Sequence, residues 1–139
     1  MTDKCLSCHE PAPDLEGGYH RRCARKLFGA NWVPSVPFSS SDIVTQAQKM
    51  VGKISISGVQ PKLSLHLDKK RKVLQVVDQG GNFILKPQVE RFRHLPENEN
   101  LCMNIAGSLK IETPPHGLLR LQDGHLCYAV KRFDRLADG

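Results

Sequence analysis

Four residues near the start of the chain have types and spacing suited to metal chemistry. Cys5, Cys8, His20 and Cys23 are arranged as C-x2-C-x11-H-x2-C. Zinc takes four soft or borderline ligands in a tetrahedron, and two chelating pairs joined by a short loop supply them. The block 1–29 is rich in Cys, His, Gly and charge and holds few large apolar residues. Burial alone would not fold such a block, and a bound metal would supply the missing stability. Four protein ligands leave no open coordination position, so a zinc site here is structural rather than catalytic. Two other readings of the same residues stay open. Cys5-Leu6-Ser7-Cys8-His9 also matches the C-x-x-C-H attachment pattern of c-type haem, and reduced cysteines that bind nothing are the plain alternative. Arg21, Arg22, Arg25 and Lys26 add a basic surface. Such a surface beside a zinc knuckle can contact nucleic acid, but few aromatics are at hand for stacking and a solvated helix face is the simpler reading.

A second constellation has the chemistry of phosphate binding. The segment Ile54-Ser55-Ile56-Ser57-Gly58-Val59-Gln60-Pro61-Lys62 lies between two expected strands. Small residues in a strand–turn–strand let backbone N–H groups approach an anion, and Ser55 and Ser57 add hydroxyls. Lys86 follows three apolar residues in Phe83-Ile84-Leu85-Lys86, a position where an ammonium is costly to bury without a partner. Glu97 and Glu99 open the only long helical pattern, and a strand lysine that grips nucleotide phosphates pairs with a glutamate of this kind. The bland alternative makes Lys86 an edge residue whose head reaches water, with the two glutamates merely favouring a helix N-terminus.

The elements that must position these residues follow from periodicity. Residues 30–41, ANWVPSVPFSSS, read as a linker or extended segment. Ser41-Asp42 is a helix start, with Ile43, Ala47, Met50 and Val51 on one face and Gly52 ending it. Period-two strands follow at 53–58, 63–67, 73–78 and 83–87, with Asp68–Lys72 as a hairpin tip. A helix is expected over 97–110 with Leu101, Ile105, Ala106 and Leu109 on its apolar face, closed off by Thr113-Pro114-Pro115. Leu118–Leu121 and Leu126–Val130 flank a last turn. Strands interrupted by one long helix predict an α+β fold: a mostly antiparallel sheet with a helix packed on it, plus the N-terminal knuckle.

Composition narrows the class. The 139 residues are 40% hydrophobic and 24% charged with a net charge of +6, enough apolar material for one modest core and against disorder. Five cysteines are too few for a disulfide scaffold, so Cys102 and Cys127 are expected as small buried thiols. No apolar run approaches the ~18 residues of a membrane span and the N-terminus lacks a signal-peptide pattern, which together predict a cytoplasmic protein with no membrane partner.

The two constellations gain specificity in combination. Ser57-Gly58-Val59-Gln60-Pro61-Lys62, Phe83-Ile84-Leu85-Lys86-Pro87, Leu95-Pro96-Glu97-Asn98-Glu99 and Val130-Lys131-Arg132-Phe133-Asp134-Arg135 occur in that order. Together they resemble the N-terminal lobe of HipA-like serine/threonine kinases, the toxins of bacterial toxin–antitoxin systems, over roughly residues 42–135. The shorter HipT-type members look closest, since they share a Ser-Ile-Ser-type loop. The resemblance implies a kinase-like N-lobe over 42–139, after a knuckle at 1–29 and a linker at 30–41. It implies that Ser57, Gly58, Val59 and Gln60 cover the ATP phosphates, that Ser55 and Ser57 are candidate autophosphorylation sites, and that Lys86 contacts phosphate with Glu99 as its partner. Lys131, Arg132 and Phe133 would form the hinge that reads adenine. It further implies an aminoacyl-tRNA synthetase as substrate and a helix-turn-helix antitoxin as partner. The family's catalytic aspartate, metal-binding residues and helical C-lobe would follow the hinge, so Mg²⁺ would bind only with a complete C-lobe. This chain is therefore expected to bind nucleotide without transferring phosphate alone, its partner being the missing C-lobe or the antitoxin. The alternative function is a non-catalytic, zinc-containing module that docks on a kinase, an antitoxin or, less favoured, nucleic acid.

Overall fold

A computed structural model describes residues 3–43, 45, 62–77, 80–89 and 92–132. Its elements in chain order are helix α1 (Arg21–Phe28), strands β1 (Leu63–Asp68), β2 (Val73–Val76) and β3 (Phe83–Pro87), helix α2 (Leu95–Ser108), and strands β4 (His116–Arg120) and β5 (Leu126–Lys131). The five strands form one sheet in the order β2-β1-β3-β5-β4, and every neighbouring pair is antiparallel. The fold is α+β, as the period-two pattern and single long helix predict. The expected strand at 53–58, with most of the helix beginning near 41, lies outside the described residues.

Each hairpin closes on local chemistry. At the β1–β2 tip Asp68 Oδ1 accepts from the backbone N–H groups of Lys70 and Arg71 at 3.0 and 3.1 Å, an Asx turn in the polar run. At the β4–β5 tip Leu121 N–H donates to His125 O at 2.8 Å and Gly124 N–H to Leu121 O at 2.9 Å.

One face of the sheet carries the core. Leu63, Leu65 and Leu67 of β1, Phe83 and Leu85 of β3, Leu119 of β4, and Cys127 and Ala129 of β5 are buried together with Cys5, Tyr19, Cys23, Ala24, Leu27 and Phe28. The knuckle and the sheet thus share a hydrophobic core. α1 explains why: its apolar positions Cys23, Ala24, Leu27 and Phe28 recur at helical spacing and all are buried, while Arg21, Arg22, Arg25 and Lys26 face outward. Gly29 ends α1 in the left-handed region at φ 69°, where its N–H donates to Arg25 O at 2.9 Å.

Residues 30–41 do more than tether. Ser35 N–H donates to Lys72 O at 2.9 Å and Ser35 O accepts from Leu74 N–H at 3.0 Å, so the segment runs along the β2 edge. Val36 enters the core, and Phe38 O accepts from Gln122 N–H at 3.0 Å beside the β4–β5 turn. Half-buried Trp32 packs against this core and lies 5.6 Å beneath Lys72 Nζ. The helix start falls two residues earlier than the sequence reading: Ser39 Oγ accepts from Asp42 N–H at 3.2 Å while Asp42 Oδ2 accepts from Ser39 N–H at 3.0 Å, a reciprocal capping box.

α2 lies on the opposite face of the sheet and corrects the apolar-face expectation. Leu101, Ile105 and Leu109 are exposed, and the buried residues of the helix are Pro96 and Asn100. The helix turns a polar stripe inward because polar partners await it there, as described below. Its C-terminus is a Schellman motif: Ile111 N–H donates to Ala106 O at 3.0 Å and Lys110 N–H to Gly107 O at 3.1 Å. Lys110 occupies the left-handed position at φ 68°, where glycine is the usual choice. Cys102 also departs from expectation, being exposed, whereas Cys127 is buried; all five cysteines are free thiols.

Candidate functional site

The ligand atoms of Cys5, Cys8, His20 and Cys23 all lie within 4.8 Å of one another. Cys8 Sγ is 3.4 Å from His20 Nδ1 and Cys23 Sγ is 3.9 Å from it. Donor atoms around a tetrahedral zinc stand roughly 3.5–3.8 Å apart, so the four side chains fit a metal ion. The outer contacts fit as well. His20 Nε2 is 2.9 Å from Pro11 O; its N–H donates there, which leaves the Nδ1 lone pair directed at the thiols. His20 is the N-cap of α1 but caps nothing with its side chain, and Asp14 Oδ1 accepts from Arg21 N–H at 2.9 Å instead. The helix thereby gains a carboxylate at its positive end while histidine stays free for the cluster.

The thiols feel opposing influences. Burial works against a Cys5 thiolate, but N–H groups of Cys8, His20 and Ser7 outweigh it and bring Cys5 down. Burial and the neighbouring Cys5 charge push Cys23 up. The Cys5 charge opposes a second thiolate at Cys23, and a divalent cation would relieve that repulsion. The residues are therefore able to hold a metal ion, which would tie the loop at residues 5–8 to the start of α1.

Lys86 and Glu99 form the second centre. Lys86 Nζ is 2.6 Å from Glu99 Oε1, with both side chains about one quarter exposed at 26%, and 5.8 Å from the centre of the Tyr128 ring. β3 is the central strand of five, so Lys86 is not the edge residue of the bland alternative. Strand alternation places it off the core face: Phe83, Leu85 and Pro87 are buried, whereas Ile84 and Lys86 are half-buried. Tyr128 is the register partner of Lys86 on β5. Burial, then the Glu99 charge, pushes the Tyr128 hydroxyl well up, keeping it neutral beside the pair. Glu97 turns elsewhere, 2.7 Å from His94 Nδ1.

Of the expected hinge, Lys131 and Arg132 are described. Their N–H groups donate to Pro115 O and Asn82 O, each at 2.9 Å. Phe133, and the loop residues Ser55, Ser57, Gly58, Val59 and Gln60, lie outside the described residues. An open groove of about 930 Å³ lies elsewhere, lined among others by Ser40, Gln88, Arg93, Glu97, Arg120 and His125; neither Lys86 nor Glu99 lines it.

Sequence reasoning missed the network that joins the two centres. Asn100, fully buried, has Nδ2 at 3.0 Å from Ser7 O, 3.3 Å from Leu6 O and 2.7 Å from His9 Nε2. Its Oδ1 is 2.6 Å from His116 Nδ1. Asn104 Nδ2 donates to the same Ser7 O at 2.8 Å. Ser7 Oγ donates to His116 O at 2.7 Å, and Leu118 N–H to Leu6 O at 2.8 Å. The Cys5–Cys8 loop thus wraps the outer strand β4, covering that sheet edge, and reaches α2 on the far face. Two asparagines at i and i+4 in mid-helix, poor helix formers both, are the signal that could have revealed it.

A family model described as "HipA-like C-terminal domain" matches residues 54–138. The chain belongs to the HipA-like family. It is 39% identical over 107 residues to a Haemophilus influenzae protein named "Putative kinase", covering 73% of this chain and 30% of that protein. Two Sinorhizobium fredii proteins also match. "Putative kinase Y4mE" is 33% identical over 86 residues, covering 62% of this chain and 20% of that protein. "Putative kinase Y4dM" is 29% identical over 119 residues, covering 74% and 29%. The chain therefore spans less than a third of the length of these curated relatives. The HipA-like match takes in β1–β5 and α2, and with them both Lys86 and Glu99. Among the described residues no helix is long and apolar enough to cross a membrane.

Proposed function

We propose that this chain is the nucleotide-binding lobe of a HipA/HipT-like serine/threonine kinase, with a structural zinc in its N-terminal knuckle. The observation that carries the reading is the 2.6 Å ion pair between Lys86 on the central strand and Glu99 on the long helix, in a chain of the HipA-like family. An ammonium held by one carboxylate and still partly exposed is poised to donate to a phosphate oxygen as a further partner. On this reading Lys86 grips the ATP phosphates and Glu99 fixes its direction. Ser57, Gly58, Val59 and Gln60 cover the phosphates, and Ser55 and Ser57 are candidate sites of autophosphorylation in the complete kinase. Lys131, Arg132 and Phe133 form the hinge that reads adenine, the Lys131 and Arg132 N–H groups being engaged within the lobe. Mg²⁺, the catalytic base and the protein substrate, an aminoacyl-tRNA synthetase, belong to the complete kinase, with a helix-turn-helix antitoxin as its regulator.

The test is binding of a fluorescent ATP analogue to the zinc-loaded chain, with and without Lys86→Ala and Glu99→Gln. Loss of a charge-assisted contact to phosphate weakens binding by roughly 10- to 100-fold for Lys86→Ala, and less for Glu99→Gln. Unchanged affinity in Lys86→Ala refutes the assignment. Elemental analysis of the purified chain tests the knuckle: one zinc per chain is expected, and none in a Cys8→Ser, Cys23→Ser variant.

A further inference from the structure

We propose that Asn100 and Asn104 are positioning residues that make the placement of Glu99 depend on metal occupancy of the Cys5–Cys8–His20–Cys23 cluster. Consecutive helical residues point about 100° apart, and α2 uses that divergence: Glu99 reaches Lys86 while Asn100 reaches the knuckle. The carbonyls that Asn100 and Asn104 grip belong to Leu6 and Ser7, the two residues between Cys5 and Cys8. Chelation of one ion by both thiolates fixes the peptide planes of that loop, and with them the carbonyl directions. Without the ion, backbone N–H contacts to Cys5 Sγ at 3.4–3.5 Å and the Cys–His contacts order the sulfurs; Leu6 O is still held by Leu118 N–H at 2.8 Å, whereas the Ser7 carbonyl, which both asparagines grip, loses the chelate that sets its direction.

α2 buries few apolar residues at this point. Its apolar stripe of Leu101 and Ile105 faces solvent, so its seat on β4 and β5 rests on the asparagine contacts, the Lys86–Glu99 pair and flanking Pro96, Met103 and Ala106. His116 completes the clamp from β4, since its Nδ1 donates to Asn100 Oδ1 and so commits the amide nitrogen to the loop. The metal thus becomes an ordering element for a residue pair on the opposite face of the sheet. The consequence for nucleotide affinity rests on the function proposed above, whereas the coupling of metal to helix does not.

Hydrogen exchange by mass spectrometry on the full chain tests the coupling, comparing Zn²⁺-loaded protein with protein stripped by a chelator. Stripping is expected to speed exchange in 99–108 by about 10-fold, the size of losing one to two net hydrogen bonds, with a smaller change in β1 and β2. The Asn100→Ala, Asn104→Ala variant, loaded with one zinc per chain, exchanges in α2 as the stripped protein does, and stripping it adds nothing there. Asn104→Ala alone, at a half-buried position, gives an intermediate response in a fold that tolerates the change. Unaltered α2 exchange on stripping, equal loss of protection in β1–β2, or a double variant that still responds would each overturn the proposal. ATP-analogue affinity is measured on the same samples: it falls on stripping the wild type and not on stripping the variant. A metal-loaded wild type that binds no nucleotide sinks the nucleotide reading alone, because the exchange data decide the coupling independently.

Discussion

Gly117→Ala is the sharpest test of whether the knuckle and the sheet form one packed unit. Gly117 lies on β4, in register with Ala129. A Cβ there would overlap the Tyr19 hydroxyl and stand 3.0 Å from Tyr19 Cζ and 3.3 Å from Leu27 Cδ2. Alanine itself suits a strand backbone, so the whole penalty is one of packing. Tyr19 has no room to retreat: it is fully buried, its ring centroid is 5.6 Å from that of Phe28, and its hydroxyl donates to Leu118 O at 2.9 Å. Overpacking costs about 1–3 kcal/mol, and breaking the buried hydrogen bond adds about 1–3 kcal/mol. A loss of about 3 kcal/mol lies inside the combined range, and for a domain of this size it lowers Tm by about 10 °C. Urea and thermal unfolding of the zinc-loaded protein, followed by circular dichroism, measure it. The same substitution in a Tyr19→Phe background is predicted to cost about 1–2 kcal/mol less, because the overlapping oxygen is gone. A Gly117→Ala protein within about 0.5 kcal/mol of wild type, or an equal cost in both backgrounds, would refute the packing argument.

Three further outcomes follow from the same structure. Lys110→Gly is expected to stabilise by about 1 kcal/mol in urea unfolding, because the residue sits left-handed at φ 68° in a Schellman turn; destabilisation would mean the lysine side chain matters more than the backbone. Leu85→Ala, at a fully buried position on the central strand, is expected to cost about 2–5 kcal/mol, and a loss below about 1 kcal/mol would place that strand outside the core. Burial, then the charges of Lys26 and His9, holds the His116 imidazole below its ordinary value, so the unfolded chain takes up this proton first as pH falls. The associated stability is present above about pH 6.5 and is lost as pH falls toward the folded pKa. Wild type should therefore lose more unfolding free energy than His116→Gln between pH 7.5 and 5.5; parallel losses would exclude His116 as the source.

How much of this could be read in advance differs from element to element. The alternation of Leu63, Leu65 and Leu67 marked a half-buried strand, and the described residues carry it on the core face. The Cys and His spacing marked a metal cluster, whose donor atoms do converge. Both signals are local, since strand pleat and chelate-loop length impose their periods within a few residues. The α2 face was misread because an apolar stripe of Leu101 and Ile105 says which residues are greasy, not which surface the sheet and the knuckle present to them. Asn100 is buried because the Ser7 carbonyl, more than 90 residues earlier in the chain, arrives there and takes its donors from the asparagine side chains of α2.

The chain's chemistry-bearing residues, its alternating strands and its family are written in short-range order, and need no folding to be recognised. Their partnership is a matter of three-dimensional placement. That Lys86 meets Glu99 rather than Glu97 depends on how α2 crosses the sheet; that the Cys/His knuckle grips the helix bearing Glu99 depends on a loop wrapping the β4 edge. Contacts between residues this distant in sequence are decided by which buried polar groups must be satisfied and which surfaces must fill the same core, and no local pattern encodes that choice.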